Sequence, residues 1–285
     1  MKPAELDYAA PTSLDDAIGL LASRDAKILA GGQSLVPLLN LRLAAPELLV
    51  DLRSVPGLDG IRRDGDDLVI GATVRQRRAE RDATIREVAP LVAEALRHVG
   101  HPQIRSRGTI GGSIAHADPA AELPAVLVAL DGSVRARGPG GEREIAAADF
   151  FQGFLMTALA EDEILVAITL PAAAPRTGAG CVEIAQRAGD YAACGAVAQV
   201  TLDGDRVADA RVALIGAIDR PVRARTVEEA LIGSAGTPED IAAAAAHASD
   251  GLDPMPDPRV PAEYRLHLAR VVARRAVEQA TERAG

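Results

Sequence analysis

Ala30-Gly31-Gly32-Gln33-Ser34-Leu35 and, far along the chain, Thr109-Ile110-Gly111-Gly112-Ser113 are two glycine-paired segments of similar build. Each follows apolar residues that read as a strand, and each ends near a small hydroxyl residue able to open a helix or turn. Glycine pairs let backbone N–H groups face an anion with no Cβ in the way. One such pair would mark only a tight turn. Two matching pairs from distant parts of the chain can close on one diphosphate, and no GxGxxG follows a strand to offer a Rossmann-type alternative.

The flanking sequence predicts alternating helices and strands. Thr12 or Ser13 followed by Asp15 and Asp16 starts a helix over 13–23, whose Leu14, Ala17, Ile18 and Leu21 share a face. Strands over 27–30 and 48–52 flank a helical or irregular segment at 35–41, a βαβ-like start. Asp64-Gly65 centres a hairpin within 57–73. One helix is expected over 88–99, then helix 123–130, strand 133–136, a short helix at 147–151, and strand 163–170 ended by Pro171. The small, Pro- and Gly-bearing segment 172–178 reads as a domain boundary. Beyond it, Asp203-Gly204-Asp205 joins strands 193–202 and 207–215. Helices at 227–232 and 238–246, a proline-rich loop at 250–261 and an amphipathic helix over 261–283 follow.

Composition narrows the function. The 285 residues carry a formal net charge of −9, which argues against a nucleic-acid or anionic-membrane surface. Two cysteines, Cys181 and Cys194, form no CxxC, so neither zinc nor an iron–sulfur cluster is supported in this chain, although their pairing stays open. Sparse cysteine fits a reducing cytoplasm. The N-terminus lacks an apolar signal region and no run is long enough to span a bilayer, so a cytoplasmic, membrane-free protein is expected. The five histidines are scattered, and no Ser/His/Asp arrangement supports hydrolysis; no catalytic residue is assigned. Three tyrosines, three phenylalanines and no tryptophan make any aromatic beside a cofactor conspicuous.

The second glycine segment continues as Ile114-Ala115-His116-Ala117-Asp118-Pro119-Ala120-Ala121-Glu122-Leu123-Pro124. With AGGQSLVPLLNLRLAAPELLVDL, PQIRSRGTIGGSIAHADPAAELPA, DEILVAITLP, RAGDYAACGAV and PAEYRLHLARVVARRAV, it resembles the FAD-binding medium subunit of the molybdenum hydroxylases. That family includes carbon monoxide dehydrogenase, dehydrogenases of N-heterocycles and aldehydes, and the flavin domain of xanthine dehydrogenase. The resemblance implies an α+β fold: a two-subdomain PCMH-type FAD-binding domain (1–55 and 56–175), then a smaller α+β C-terminal domain (176–285) with an antiparallel sheet and helices.

The same resemblance implies an FAD diphosphate lying across Ala30, Gly31, Gly32, Gln33, Ser34 and Leu35 on one side and Thr109, Ile110, Gly111, Gly112 and Ser113 on the other. Backbone amides and the hydroxyls of Ser34, Thr109 and Ser113 would donate to it. At least one of Asp118 and Glu122 is expected on the sugar hydroxyls, with a helix-start carboxylate as the plain alternative. Leu165 matches a position whose backbone meets the flavin edge, its side chain being core. Tyr191 matches a residue covering one flavin face, against the alternative of a half-buried interface tyrosine. His116 reads as structural. Gln33 stands where carbon monoxide dehydrogenase medium subunits often have His, which weakens carbon monoxide as substrate.

The implied partners are a large subunit with a molybdopterin cofactor and a small subunit with two 2Fe-2S clusters, assembled as a dimer of heterotrimers. The acceptor would be a quinone, O2 or NAD. The alternatives are a stand-alone PCMH-type flavin oxidoreductase, for which no proton donor stands out, and a flavin-free scaffold subunit, which intact glycines in both segments oppose.

Overall fold

The first helix begins where the sequence places it. Ser13 Oγ accepts the Asp16 amide at 3.1 Å, and Asp15 and Asp16 occupy the first turn, where the helix dipole favours carboxylates. The computed structural model describes residues 2–285. Its first layer runs β1 (Asp7–Ala9), α1 (Leu14–Ser23), β2 (Ala26–Leu29), α2 (Leu35–Leu41) and β3 (Leu48–Asp51). The strands form a parallel sheet in the order β1-β3-β2. β1 is absent from the sequence-based expectation because its three residues are largely exposed and show no apolar alternation.

The second layer opens with the expected hairpin, β4 (Ile61–Asp64) and β5 (Asp67–Gly71), turning at Gly65 with φ of 62°. Six helices follow: α3 (Gln76–Ala79), α4 (Ala83–Val88), α5 (Pro90–Leu96), α6 (Pro102–Arg107), α7 (Ile110–His116) and α8 (Glu122–Ala129). The single helix expected over 88–99 is therefore broken. Pro90 disfavours helical backbone at Ala89, which sits at φ −139° and ψ 69°, and α5 restarts with Pro90 in its first turn. A second correction concerns the second glycine segment, which follows α6 rather than a strand. Its glycines lie inside the first turn of α7, and only an isolated Arg75–Thr109 bridge is strand-like there.

Strands β6 (Ser133–Gly138) and β7 (Gly141–Ala146), helix α9 (Ala147–Phe150), the small hairpin β8 (Phe151–Gly153) and β9 (Met156–Thr157), and β10 (Ile164–Pro171) complete this layer. The five-stranded antiparallel sheet runs β4-β5-β10-β6-β7, with β10 at its centre. A register shift between Leu165 and Ala167 moves the alternation by one residue. Leu165, Ile168 and Leu170 consequently share the core of this layer, whereas Ile164 and Val166 pack into the core under the first sheet. One strand thus joins the two cores.

The third layer is the antiparallel sheet β11 (Thr177–Ile184), β12 (Cys194–Asp203), β13 (Arg206–Ile215) and β14 (Val222–Arg223), then α10 (Arg225–Leu231), α11 (Pro238–Ala245) and α12 (Ala262–Ala284). Two glycines let α12 lie directly on β11. A Cβ on Gly178 would meet the Ala280 carbonyl oxygen, and one on Gly180 the Ala276 carbonyl oxygen. The other face of the sheet carries Cys181, Val197 and Ala213 into the core shared with α5 and α8. Cys194 faces α12 instead, so the two cysteines lie on opposite faces of the sheet, and both are free. Among the described residues no helix is long and apolar enough to cross a membrane.

Candidate functional site

β2 delivers the first glycine segment, and α2 begins just after it at Leu35. Gly32 has φ of 73°, and Val36 donates its amide back to the Gly32 carbonyl at 3.1 Å, so the backbone turns sharply there. None of the amides of residues 31–35 has a hydrogen-bond partner among the described residues. The Gln33 side chain folds back onto the Gly31 carbonyl at 3.1 Å and stabilises the turn. Five amides gathered in one short segment without acceptors form a concavity suited to an anion.

The end of α6 closes the other side. A Cβ on Gly31 would meet the Arg107 carbonyl oxygen and stand 2.8 Å from Gly108 Cα, so the two backbones touch where only glycine fits. Likewise, a Cβ on Gly112 would stand 2.7 Å from Thr109 Oγ1 and 3.7 Å from the Ala30 methyl. The structure therefore brings the two segments together, but it uses them differently. In the second, Ile110 donates to Val74 O at 2.9 Å, Gly111 to Ala72 O at 2.9 Å, Gly112 to Thr109 Oγ1 at 3.0 Å and Ser113 to Thr109 O at 3.2 Å. Those four amides are committed within the chain, whereas the Thr109 amide has no partner among the described residues. Thr109 is the N-cap of α7 and is buried, while the Ser113 side chain is half-buried.

Leu165 reaches the same region through its neighbour. Val166 accepts the Ala72 amide at 3.0 Å, and Ala72 in turn accepts the Gly111 amide, so β10, the end of β5 and the second segment hang on one ladder. Leu165 itself is in register with Ala136 of β6 and its side chain is core.

The electrostatics around the first segment are locally positive in a chain of net charge −9. Arg75 donates to the Arg107 carbonyl, and burial followed by the charges of Arg107 and Arg53 pushes its pKa below the ordinary guanidinium value. An anion nearby would relieve that repulsion. Arg53 is instead paired with Asp51 at 2.7 Å, where Tyr8 also donates to the carboxylate.

Asp118, Glu122, Ser34 and Tyr191 form the second half of the site. Asp118 Oδ1 accepts the Ala120 amide at 2.9 Å in an Asx turn, leaving its other oxygen without a partner among the described residues. Glu122 is the first residue of α8 and only 9 % exposed. Burial, then the facing Glu183 carboxylate, pushes its pKa up to about 8; burial likewise raises that of Glu183. Glu183 Oε1 is buried without a partner, and His98 Nδ1 stands 3.9 Å from its other oxygen. Glu122 thus lies buried against Glu183, while Asp118 is half-buried. Tyr191 is 66 % exposed. Partial burial of its hydroxyl, followed by the Asp118 and Glu122 charges, raises its pKa, while the neighbouring Ser34 hydroxyl lowers it. The C-terminal domain therefore carries Tyr191 to the mouth of the first glycine segment. His116 ends α7, its pKa lowered by burial, and makes no hydrogen bond among the described residues.

Two charged residues at this boundary are not singled out by the sequence. Glu183 alternates with Cys181 on β11, a carboxylate at an inward strand position, and Arg265 occupies the apolar stripe that continues through Leu268, Ala269, Val272 and Ala276 of α12. A charge breaking an apolar period is the signal that could have found both.

Residues 4–173 match the model of the FAD binding domain in molybdopterin dehydrogenase, and residues 182–280 that of the CO dehydrogenase flavoprotein C-terminal domain. The chain is 43% identical to the 6-hydroxypseudooxynicotine dehydrogenase complex subunit alpha of Paenarthrobacter nicotinovorans, covering 100% of this chain and 97% of that one. It is 39% identical to the caffeine dehydrogenase subunit beta of Pseudomonas sp. strain CBB1, covering 99% and 97%. Among solved structures, carbon monoxide dehydrogenase from Hydrogenophaga pseudoflava superposes with a TM-score of 0.96 at 38% identity, covering 99% of both chains.

Proposed function

The chain belongs to the FAD-binding medium subunits of the molybdenum hydroxylases, and on that premise we propose that it is the electron-exit subunit of a heterotrimeric dehydrogenase. The observation that carries the proposal is the set of unpartnered amides at residues 31–35, held against Arg107 and Gly108 by an approach only glycine permits. The site fits the cofactor. The free amides and the Arg75 and Arg107 charges would hold the diphosphate, the Ser34 and Ser113 hydroxyls would add donors, and Asp118 would accept from sugar hydroxyls through its free oxygen. Ala30, Leu35 and Ile110 would line the walls, and Thr109, Gly111 and Gly112 would shape the second wall through their packing. The Leu165 backbone and the Tyr191 ring would border the flavin ring, and Glu122 would support Asp118 from behind.

Bound FAD supplies a carrier that accepts electrons singly or in pairs and passes them on in either form. This chain's residues hold that carrier, set the charge around it and limit what reaches it. No residue here acts as acid or base on the organic substrate, whose pocket belongs with the molybdopterin cofactor in the large subunit. Electrons would arrive from the 2Fe-2S clusters of the small subunit and leave to a quinone, O2 or NAD, in a cytoplasmic dimer of heterotrimers. Gln33 contributes a turn bond to the Gly31 carbonyl, and its standing in place of a His weighs towards an N-heterocycle or an aldehyde as much as carbon monoxide.

The test is an absorption spectrum of the natively purified complex before and after anaerobic addition of candidate substrates. Flavin and iron–sulfur bands that bleach together support the relay. Flavin bound to this chain alone and reduced directly by NAD(P)H or a small substrate would move the assignment to a self-sufficient flavoenzyme, and a colourless chain to a scaffold.

A further inference from the structure

Tyr191 is 66 % exposed, so where its ring stands depends heavily on the loop that carries it. The loop that carries it is fixed at two shoulders. On one side Gly189, at φ of 84°, lies on the His101 ring so closely that a Cβ there would stand 2.7 Å from Nδ1 and 2.8 Å from Nε2. On the other side the Ala193 amide donates to Ile184 O at 2.8 Å, and the Ala193 carbonyl accepts Arg265 Nη1 at 2.7 Å.

Arg265 does more than hold that carbonyl. It is 8 % exposed, in the first turn of α12. The same Nη1 donates to the Gly216 carbonyl at 2.5 Å, and Nη2 meets Asp257 Oδ2 at 3.1 Å, which fixes the plane of the guanidinium. Gly216 in turn donates its amide to Pro119 O at 2.7 Å, the residue beside Asp118. One buried side chain therefore links the base of the Tyr191 loop to the Asp118 turn across the domain boundary. A planar fork with two hydrogens on one nitrogen can hold two carbonyls while its other nitrogen is oriented by a carboxylate; a lysine ammonium lacks that fixed geometry.

We propose that Arg265 is the positioning residue of Tyr191: by holding the Ala193 and Gly216 carbonyls together it sets how the Tyr191 ring stands over the cofactor site, and so how freely an external acceptor reaches the flavin. This rests on the reading that Tyr191 borders the flavin. Arg265 touches neither cofactor nor acceptor, and its action passes through the loop.

The experiment uses the whole complex with Arg265→Lys, Asp257→Asn and Tyr191→Ala. Two readouts are taken: tryptic cleavage after Arg187 in the loop, which needs no flavin chemistry, and the visible circular dichroism of the bound flavin together with its reoxidation rate by a dye. Arg265→Lys is expected to keep full flavin content, speed cleavage after Arg187 at least about fivefold, and shift the flavin dichroism and dye rate in the direction of Tyr191→Ala. The Arg265→Lys/Tyr191→Ala double variant is expected to add nothing to the flavin signals of Tyr191→Ala alone. Asp257→Asn, which retains the guanidinium but loosens its plane, is expected to move every readout the same way by less, and it carries the test if Arg265→Lys does not fold. Faster cleavage with unchanged flavin signals, while Tyr191→Ala does change them, overturns the positioning role alone. Unchanged flavin signals in Tyr191→Ala itself overturn the placement of Tyr191, and the proposal with it.

Discussion

The Gly111 amide donates to the Ala72 carbonyl oxygen at 2.9 Å, and a Cβ on Gly111 would stand 2.6 Å from the Ala72 methyl carbon. That contact seats α7 on the end of β5, and it accounts for the glycine without invoking a free amide. Gly111→Ala must push the helix away from the strand, an overpacking that costs about 1–3 kcal/mol. Denaturant unfolding followed by far-ultraviolet dichroism should show that loss, accompanied by partial loss of flavin. Gly180→Ala, where a Cβ would meet the Ala276 carbonyl of α12, should cost a similar amount with the flavin retained. Equal flavin loss in both variants would show that the cofactor merely reports global stability.

Gly31 and Gly32 predict different defects. At Gly31 the obstruction is the Arg107 and Gly108 backbone, which has no rotamer to move aside. Gly31→Ala should therefore separate the two segments and lower the flavin-to-protein ratio at least about tenfold while the fold persists. Gly32→Ala faces only side-chain atoms of Val36 and Leu29 at 3.2 and 3.3 Å, plus the left-handed backbone, a strain of about 1–2 kcal/mol. It should weaken flavin retention less. A larger effect at Gly32 would contradict the backbone contact at Gly31.

The Glu122–Glu183 pair gives stability a defined pH slope. Burial raises both carboxyl pKa values, so the native state keeps protons that the unfolded chain releases in the ordinary carboxylate range. Stability is full below that range and falls as pH rises towards about 8, by at most about 1.4 kcal/mol per pH unit for one group. Glu183→Gln, permanently neutral, should match the parent near pH 5 and exceed it at pH 8. A penalty that is constant across this range would sink the shared-burial account.

Glu80 should behave with the opposite sign. Its burial raises the pKa, but hydrogen bonds from Arg77 and Arg105 outweigh that and leave it lowered. Its contribution is present above the ordinary glutamate pKa and disappears as pH falls through the lowered one. Glu80→Gln should be destabilising at pH 7 and nearly silent once the pH has fallen below the lowered pKa of Glu80. Arg105→Met is the harsher change. Arg105 is 6 % exposed and also donates to the Val99 carbonyl at 2.8 Å, so removing it leaves Glu80 with Arg77 at 2.8 Å but the Val99 carbonyl without that donor, a loss of about 1–3 kcal/mol beyond the ion pair. Parity between these two variants at pH 7 would mean that the ion pair alone, and not the carbonyl, secures α6.

Local chemistry was legible in the residues. Ser13 capping α1, Gly65 turning the β4–β5 hairpin, Pro171 closing β10 and Gly204 turning between β12 and β13 each act within a few positions of themselves. The α12 stripe was equally plain, because its period persists over 23 residues. The broken helix at Ala89 was misread because apolar spacing outweighed a proline whose effect falls on the residue before it. β1 and β11 were missed for a different reason. β1 is too exposed to alternate, and β11 carries Gly178 and Gly180 where a strand would ordinarily carry bulk, a choice explained only by α12 lying on it.

The sequence by itself determined that two glycine-paired segments would be available, that helices and strands would alternate along the chain, and which short motifs would flank the site. These follow from backbone freedom, periodicity and capping, all properties of neighbours along the chain. Only the tertiary structure decided that residues 31–35 keep their amides free while those of Ile110, Gly111, Gly112 and Ser113 are taken, that Glu122 lies buried against Glu183, and that Arg265 ties the Tyr191 loop to the Asp118 turn. Each depends on which acceptor or charge lies opposite. The opposing group comes from elsewhere in the chain, at the domain boundary in the last two cases, and no local rule specifies it.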